Sequence, residues 1–176
     1  MKKIILLLVA LLFILSLTTI LLANEDIKKH SSCKYCGMDR EKFAHSRMLI
    51  EYDDGTQVGT CSLHCTAIDL ALNLDKTPKL LWVGDYSTRA LLNAEKAFWV
   101  IGGAKPGVMT KRAKWAFAQK EEAEKFLKEN GGNLTDFDGA LKASYEDIAE
   151  DTKMIRERRR MMRQKMMDQK MEHKHN

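Results

Sequence analysis

The sequence lacks the usual marks of a catalyst. Its 176 residues contain no paired carboxylates, no nucleophile–base pair and no phosphate-cradling loop in a fitting context. It also lacks basic charge where a nucleic-acid binder would carry it. The formal net charge is +5, but residues 153–176 hold nine Lys or Arg against three Asp or Glu, and residues 24–152 come to −3. A mildly acidic body with a basic tail is not a nucleic-acid footprint. Before Cys33 the chain reads His30-Ser31-Ser32, without the apolar lead-in that a lipid-anchored cysteine needs. Large aliphatic residues are scarce from Tyr145 onward, so that segment cannot build a core of its own.

One long apolar run is present. Lys2 and Lys3 precede Ile4 to Ala23, and Asn24, Glu25 and Asp26 follow directly. Basic, apolar, then polar is the order of an export signal. Ala23 suits the position before a cut and Leu21 does not, while a run of about 20 residues is also long enough to span a bilayer as a permanent anchor. Cleavage and retention both stay open. In either case the rest of the chain faces an extracytoplasmic, oxidising compartment, as a periplasmic protein would.

Residues 24–32 read as a polar linker. Ser46–Tyr52 reads as a strand, Asp53-Asp54-Gly55 as a hairpin turn and Thr56–Thr60 as the returning strand. Ser62 is placed to cap a helix running to about Leu74, and Leu80–Val83 reads as a further strand. The order then recurs. Ala97–Ile101 and Lys114–Ala118 read as strands, Glu121–Asn130 as a helix ended by Gly131-Gly132, and Asn133–Phe137 as a last strand. The expectation is therefore an α+β domain over 33–144, with two β-β-α-β halves at about 33–86 and 95–140. Residues 145–176 form a basic tail, read either as a solvated helix or as a disordered extension. It holds six of the ten methionines, with His173 and His175 at its end. Those methionines do not form a clean heptad. They either capture copper loosely or belong to a flexible basic end.

All four cysteines fall within 33 residues, as Cys33-x-x-Cys36 and Cys61-x-x-x-Cys65. At i and i+4 on a helix, Cys61 and Cys65 would share one face. Met38 adds a thioether two residues after Cys36. Thiolate and thioether together favour Cu(I), whereas zinc gains little from a methionine. Three other readings remain. Four cysteines in an exported domain are most often disulfides, with three pairings available. The same four could hold a structural zinc ion. C-x-x-C is also a thiol–disulfide oxidoreductase motif, though it normally follows a buried strand, and here it follows the charged stretch NEDIKKHSS. Met48 reads as core packing, and His45 and His64 as surface or hydrogen-bonding residues. Met109, in the connection between two strands, reads as structural.

The chain resembles the NosL family, the copper accessory proteins of nitrous oxide reductase maturation. The resemblance rests on Cys33-Lys34-Tyr35-Cys36-Gly37-Met38 after an export signal, the hairpin with Asp54-Gly55, Cys61 and the helix behind it. The stretch AFWVIGGAKPGVMTKRAKWAFAQKEEAEKFLKENGG follows the family's order in the second half, so that about residues 33–140 are covered. The resemblance implies two related β-β-α-β units and one Cu(I) site of cysteine and methionine sulfur. It implies delivery to a copper-accepting enzyme and no catalysis. Cys33, Cys36 and Met38 match the N-terminal motif, and Met109 matches the loop methionine, which raises Met109 to a ligand candidate. Many members carry a lipobox, absent here, and the Met- and His-bearing tail lies outside the pattern. Cys61 and Cys65, as CSLHC, also resemble small TRASH-type metal-binding modules, although 24 residues separate Cys36 from Cys61, more than such modules usually have.

Overall fold

The computed structural model describes residues 25–175, and the export segment expected over 1–23 lies outside the described residues. Among the described residues seven strands and four helices follow in order: α1 (Glu25–Lys29), β1 (Met48–Tyr52), β2 (Gln57–Thr60), α2 (Leu63–Leu72), β3 (Pro78–Gly84), β4 (Leu91–Asn93), β5 (Phe98–Ile101), β6 (Lys114–Phe117), α3 (Lys120–Asn130), β7 (Asn133–Thr135) and α4 (Phe137–His175). The class is α+β, as expected.

The repeat is visible in the topology. β1 lies between β2 and β3, antiparallel to both, and β5 lies between β6 and β7 in the same way. In each half the first strand therefore lies between the other two, and the helix connects those two flanking strands. β4 has no counterpart in the second half. It pairs with β3 through Trp82 opposite Asn93 and Val83 opposite Leu92. Its three half-buried residues, Leu-Leu-Asn, carry too short an alternation to stand out as a strand in the sequence. The halves meet where Asp85, just after β3, bridges to Ala116 of β6. The buried Asp85 carboxylate accepts the Ala118 N–H at 3.0 Å.

Alternation along the central strand of the second half produces two cores. Trp99 turns to the side of Met48, Ile50, Leu63, Val83 and Phe137. Val100 turns to the side of Trp115, Phe117 and Phe126, and it is there that Cys33, Cys61 and Cys65 are buried. Period-2 patterning in β5 thus sets the cysteines of the first half against the sheet face of the second. Met48 is fully buried, in keeping with a packing role.

Two segments differ from the sequence reading. Residues 25–29 form a short helix where a linker was expected, and its Asp26 is buried between two fully buried arginines. Arg40 donates to Asp26 at 2.8 Å and Arg47 donates to it at 2.9 Å. A charged residue reads as solvated until its partners are known, and these lie 14 and 21 residues downstream. The tail is helical, and its helix begins at Phe137 rather than near Tyr145. Phe137 and Ala140 pack into the first core.

Candidate metal centre

The site is assembled from a turn, a strand end and a helix start. Cys33 to Met38 forms the turn, closed by the Cys33 N–H donating to the Met38 carbonyl at 2.8 Å and the Gly37 N–H to the Cys33 carbonyl at 2.9 Å. Gly37 takes φ +73°, a conformation that residues with a Cβ rarely adopt, so the motif's glycine is what lets the chain reverse between Cys36 and Met38. The Lys34 N–H donates to the Gly59 carbonyl, which docks the turn on β2. Cys61 is the residue after β2, and Cys65 follows one turn later on α2. Arg40 holds this corner: its Nε donates to the Thr60 carbonyl at 3.1 Å, while its own backbone N–H donates to the Ser31 carbonyl at 2.9 Å. The Asp26–Arg40 pair thus braces both arms of the site at once.

The sulfur atoms of Cys33, Cys36, Cys61 and Cys65 all lie within 4.8 Å of one another, and all four are free thiols. Cys36 and Cys61 are 3.4 Å apart and Cys61 and Cys65 are 3.8 Å apart. Four thiolates arranged tetrahedrally at a metal–sulfur bond of about 2.3 Å stand about 3.8 Å from each other, so the cluster has the dimensions of a metal site. Cys33, Cys61 and Cys65 are buried, whereas Cys36 is half-buried. The electrostatics are those of thiols too close to ionise together. Hydrogen bonds from Cys36, Cys61 and Cys65 hold the Cys33 thiol far below its ordinary value. The Cys36 thiol is also lowered: its bond with Cys33 raises it, but those with Cys61 and Cys65 prevail. Cys61 and Cys65 are pushed up, first by the neighbouring Cys33 and Cys36. A soft cation entering the cluster would replace the remaining thiol protons.

Met38 and Met109 pack against this core from its edge and, with Cys36, line a groove of about 500 Å³. Met109 has φ +60°, a rare conformation for a non-glycine residue, held by a tight loop in which a Cβ on Gly107 would come within 2.7 Å of the Thr110 carbonyl oxygen. Neither histidine joins the cluster. His45 packs its ring on Trp115 at 5.5 Å between centroids, and burial lowers its pKa. His64 is buried with Nδ1 3.4 Å from Asp151 Oδ2 on α4, and burial again lowers its pKa.

The sequence reading missed three contributors: Asp26, the arginines that bury it, and the part of α4 that reaches the groove through Met154 and Met162. A signal for the last was present. Asp147, Asp151, Met154, Arg158 and Met162 are spaced by three or four residues and lie on one face of a helix.

Fold and site together define a small α+β protein with a sulfur-lined site suited to a soft metal ion. The NosL family profile matches residues 24–144, and the chain belongs to that family. Among solved structures, the copper chaperone NosL from Shewanella denitrificans is similar over 61% of this chain and 87% of its own, with 24% sequence identity and a TM-score of 0.50, a likeness of fold. No curated protein matches the chain. No helix among the described residues is long and apolar enough to cross a membrane.

Proposed function

We propose that this protein is an exported metallochaperone that binds Cu(I) through Cys33, Cys36, Cys61 and Cys65, with Met38 and Met109 at the rim. It then hands the ion to a copper-accepting enzyme, with nitrous oxide reductase as the client that family membership suggests. The N-terminal apolar run would export the chain to the periplasm, either to be removed or to remain as a tether. The observation that carries this reading is the asymmetry of the cluster. Three sulfurs are buried, and the fourth, Cys36, opens on a groove lined by thioethers. A carrier needs a site that holds its ion yet lets an acceptor's ligands replace its own one at a time. Thioethers suit the open side, because they bind Cu(I) without a charge and without losing a proton. No bond is made or broken apart from metal–sulfur exchange, and no catalytic residue is required.

A second reading is favoured by one observation. Four thiols at these separations also fit a closed tetrahedral zinc site, as in structural zinc modules. A thiol–disulfide oxidoreductase has less support, because Cys33 and Cys36 sit in a turn and do not open a helix.

Anaerobic titration of the reduced protein with Cu(I) and Zn(II) in parallel separates these readings. About one tightly held Cu(I) per chain, not displaced by zinc and weakened by orders of magnitude in Cys36→Ser, is the expected result. Tight zinc whose removal unfolds the domain would overturn it.

A further inference from the structure

Helix α4 continues well beyond residue 144, where the family match ends. It does not leave the body at that point. Asp147 on its inner face receives Arg112 Nε at 2.9 Å and also pairs with Lys114, and Asp151 accepts the Lys111 N–H at 3.0 Å. These contacts clamp the helix to the loop that carries Met109. Two turns after Asp151, Arg159 donates to the Cys36 carbonyl at 3.3 Å. The helix is thereby fastened to both walls of the sulfur-lined groove. Between and just beyond these fastenings stand Met154 and Met162, which line the groove with Cys36, Met38 and Met109. Met154 is half-buried, and Met162, at the lip, is 66% exposed.

We infer that Met154 and Met162, with Met38 and Met109, form a thioether station for a soft monovalent cation, Cu(I) or its redox-inert analogue Ag(I), next to Cys36. The inference rests on the copper-carrier reading for its purpose but not for its chemistry, since four thioethers in one groove would favour a soft cation whatever the thiols hold. Thioether sulfur is neutral and does not compete with protons, so a station of this kind binds weakly and releases readily. It lies beside Cys36, the least buried of the four thiols. Arg158 and Arg159 also line the groove. Their charge opposes a cation held by thioethers alone, and favours its onward movement to the anionic thiolates. Met161, Met166, Met167 and Met171 lie on the same helix, 58–61% exposed, and do not line the groove.

The test uses protein labelled at the methionine methyl carbons and titrated with Ag(I). In a variant with all four cysteines changed to serine, the Met154 and Met162 methyl resonances should shift before those of the four outward-facing methionines. Met154→Leu with Met162→Leu, which keeps side-chain volume, should then weaken Ag(I) binding by about tenfold or more. Equal shifts at all tail methionines, or unchanged binding in the double variant, would overturn the inference. Should the serine variant fail to fold, Cu(I) transfer from the protein with its cysteines intact to an excess chelator gives the second readout. The double Leu substitution should slow it severalfold with the equilibrium Cu(I) affinity of the cysteine cluster unchanged, and an unchanged rate would overturn the inference. A failure of the carrier reading has a different signature, namely loss of tight Cu(I) binding by the thiols with the Ag(I)-induced methyl shifts intact.

Discussion

The two halves share a topology and differ in what they do with it. In the first, the residue after the second strand is Cys61 and the third residue of the helix is Cys65; at the corresponding places in the second stand Ala118 and Glu122. Cys61 and Cys65 are buried, whereas Ala118 is exposed and Glu122 half-buried. The same strand–helix corner is thus a buried sulfur site in one half and a solvated surface in the other. What makes the difference is the sheet face of the second half, whose Val100, Trp115 and Phe117 share a buried cluster with Cys33, Cys61 and Cys65 of the first half. Repetition of a unit supplies a wall as well as a copy. One half carries the four cysteines, and the other excludes water from three of them.

The halves are also held differently, and this can be broken. The first relies on the buried Asp26 between Arg40 and Arg47, the second on the tilted ring pair of Phe117 and Phe126, with Tyr86 of the first half set tilted or edge-on against Trp115, Phe117 and Phe126. Asp26→Ala leaves two guanidinium groups buried without their carboxylate, and should cost about 3–5 kcal/mol in urea unfolding. Because Arg40 also holds the Thr60 carbonyl beside Cys61, the same variant should lose metal affinity together with stability. A change below about 1 kcal/mol would show that the pair is not what fixes the corner.

A smaller effect separates the two helices. α2 is tied down by Asp69, whose fully buried carboxylate receives Tyr35, Tyr52 and Lys34. α3 has surface glutamates in its first turn and no such anchor. Burial alone would raise the Asp69 pKa, but these three donors outweigh it and hold it below the ordinary carboxylate value. A group lowered in the folded state contributes stability that is present above the unfolded value of about 3.9 and is lost as pH falls through the folded one. Asp69→Asn should therefore flatten the acid limb of the stability profile below about pH 4 and cost about 1–3 kcal/mol at neutral pH. An unchanged acid limb would mean that other carboxylates carry it.

Much of this comparison was legible in the residues. Both β-β-α-β halves follow from short apolar runs bounded by turn chemistry, such as Asp53-Asp54-Gly55 between β1 and β2 and Gly131-Gly132 after α3. The C-x-x-C-G-M turn and CSLHC likewise mark out two closely spaced pairs of sulfur donors. What stayed hidden depends on pairing across distance. Asp26 looks like a solvated linker residue until Arg40 and Arg47 come round to it, and β4 is too short to carry a period. The inner face of α4 was obscured by its own composition, because Asp147, Asp151, Met154, Arg158 and Met162 keep helical spacing but mix acidic, basic and thioether side chains, so no apolar stripe marks it. Gathering all four cysteines at one point is a tertiary result. The spacing within each pair permits it, but only the docking of the turn on β2 brings the pairs together.

The finest contrast between the halves uses two glycines with nearly the same positive φ. Gly37 in the ligand turn has φ +73°, and Gly131, closing α3 in the second half, has φ +72°; a Cβ at either position would meet nothing within 4 Å. Replacing either by alanine therefore adds backbone strain without a clash against a neighbouring segment, on the order of 1–3 kcal/mol. The consequences should diverge. At Gly131 the strain falls on the cap, where its N–H donates to the Leu127 carbonyl, and metal affinity should not move. At Gly37 it falls between two candidate ligands, on the turn closed by Cys33 and Met38, and Cu(I) affinity should drop by about tenfold for a strain of about 1.4 kcal/mol. Equal affinities for the two variants would mean that the turn adjusts around the ion, and that the site is shaped by the metal rather than held ready for it.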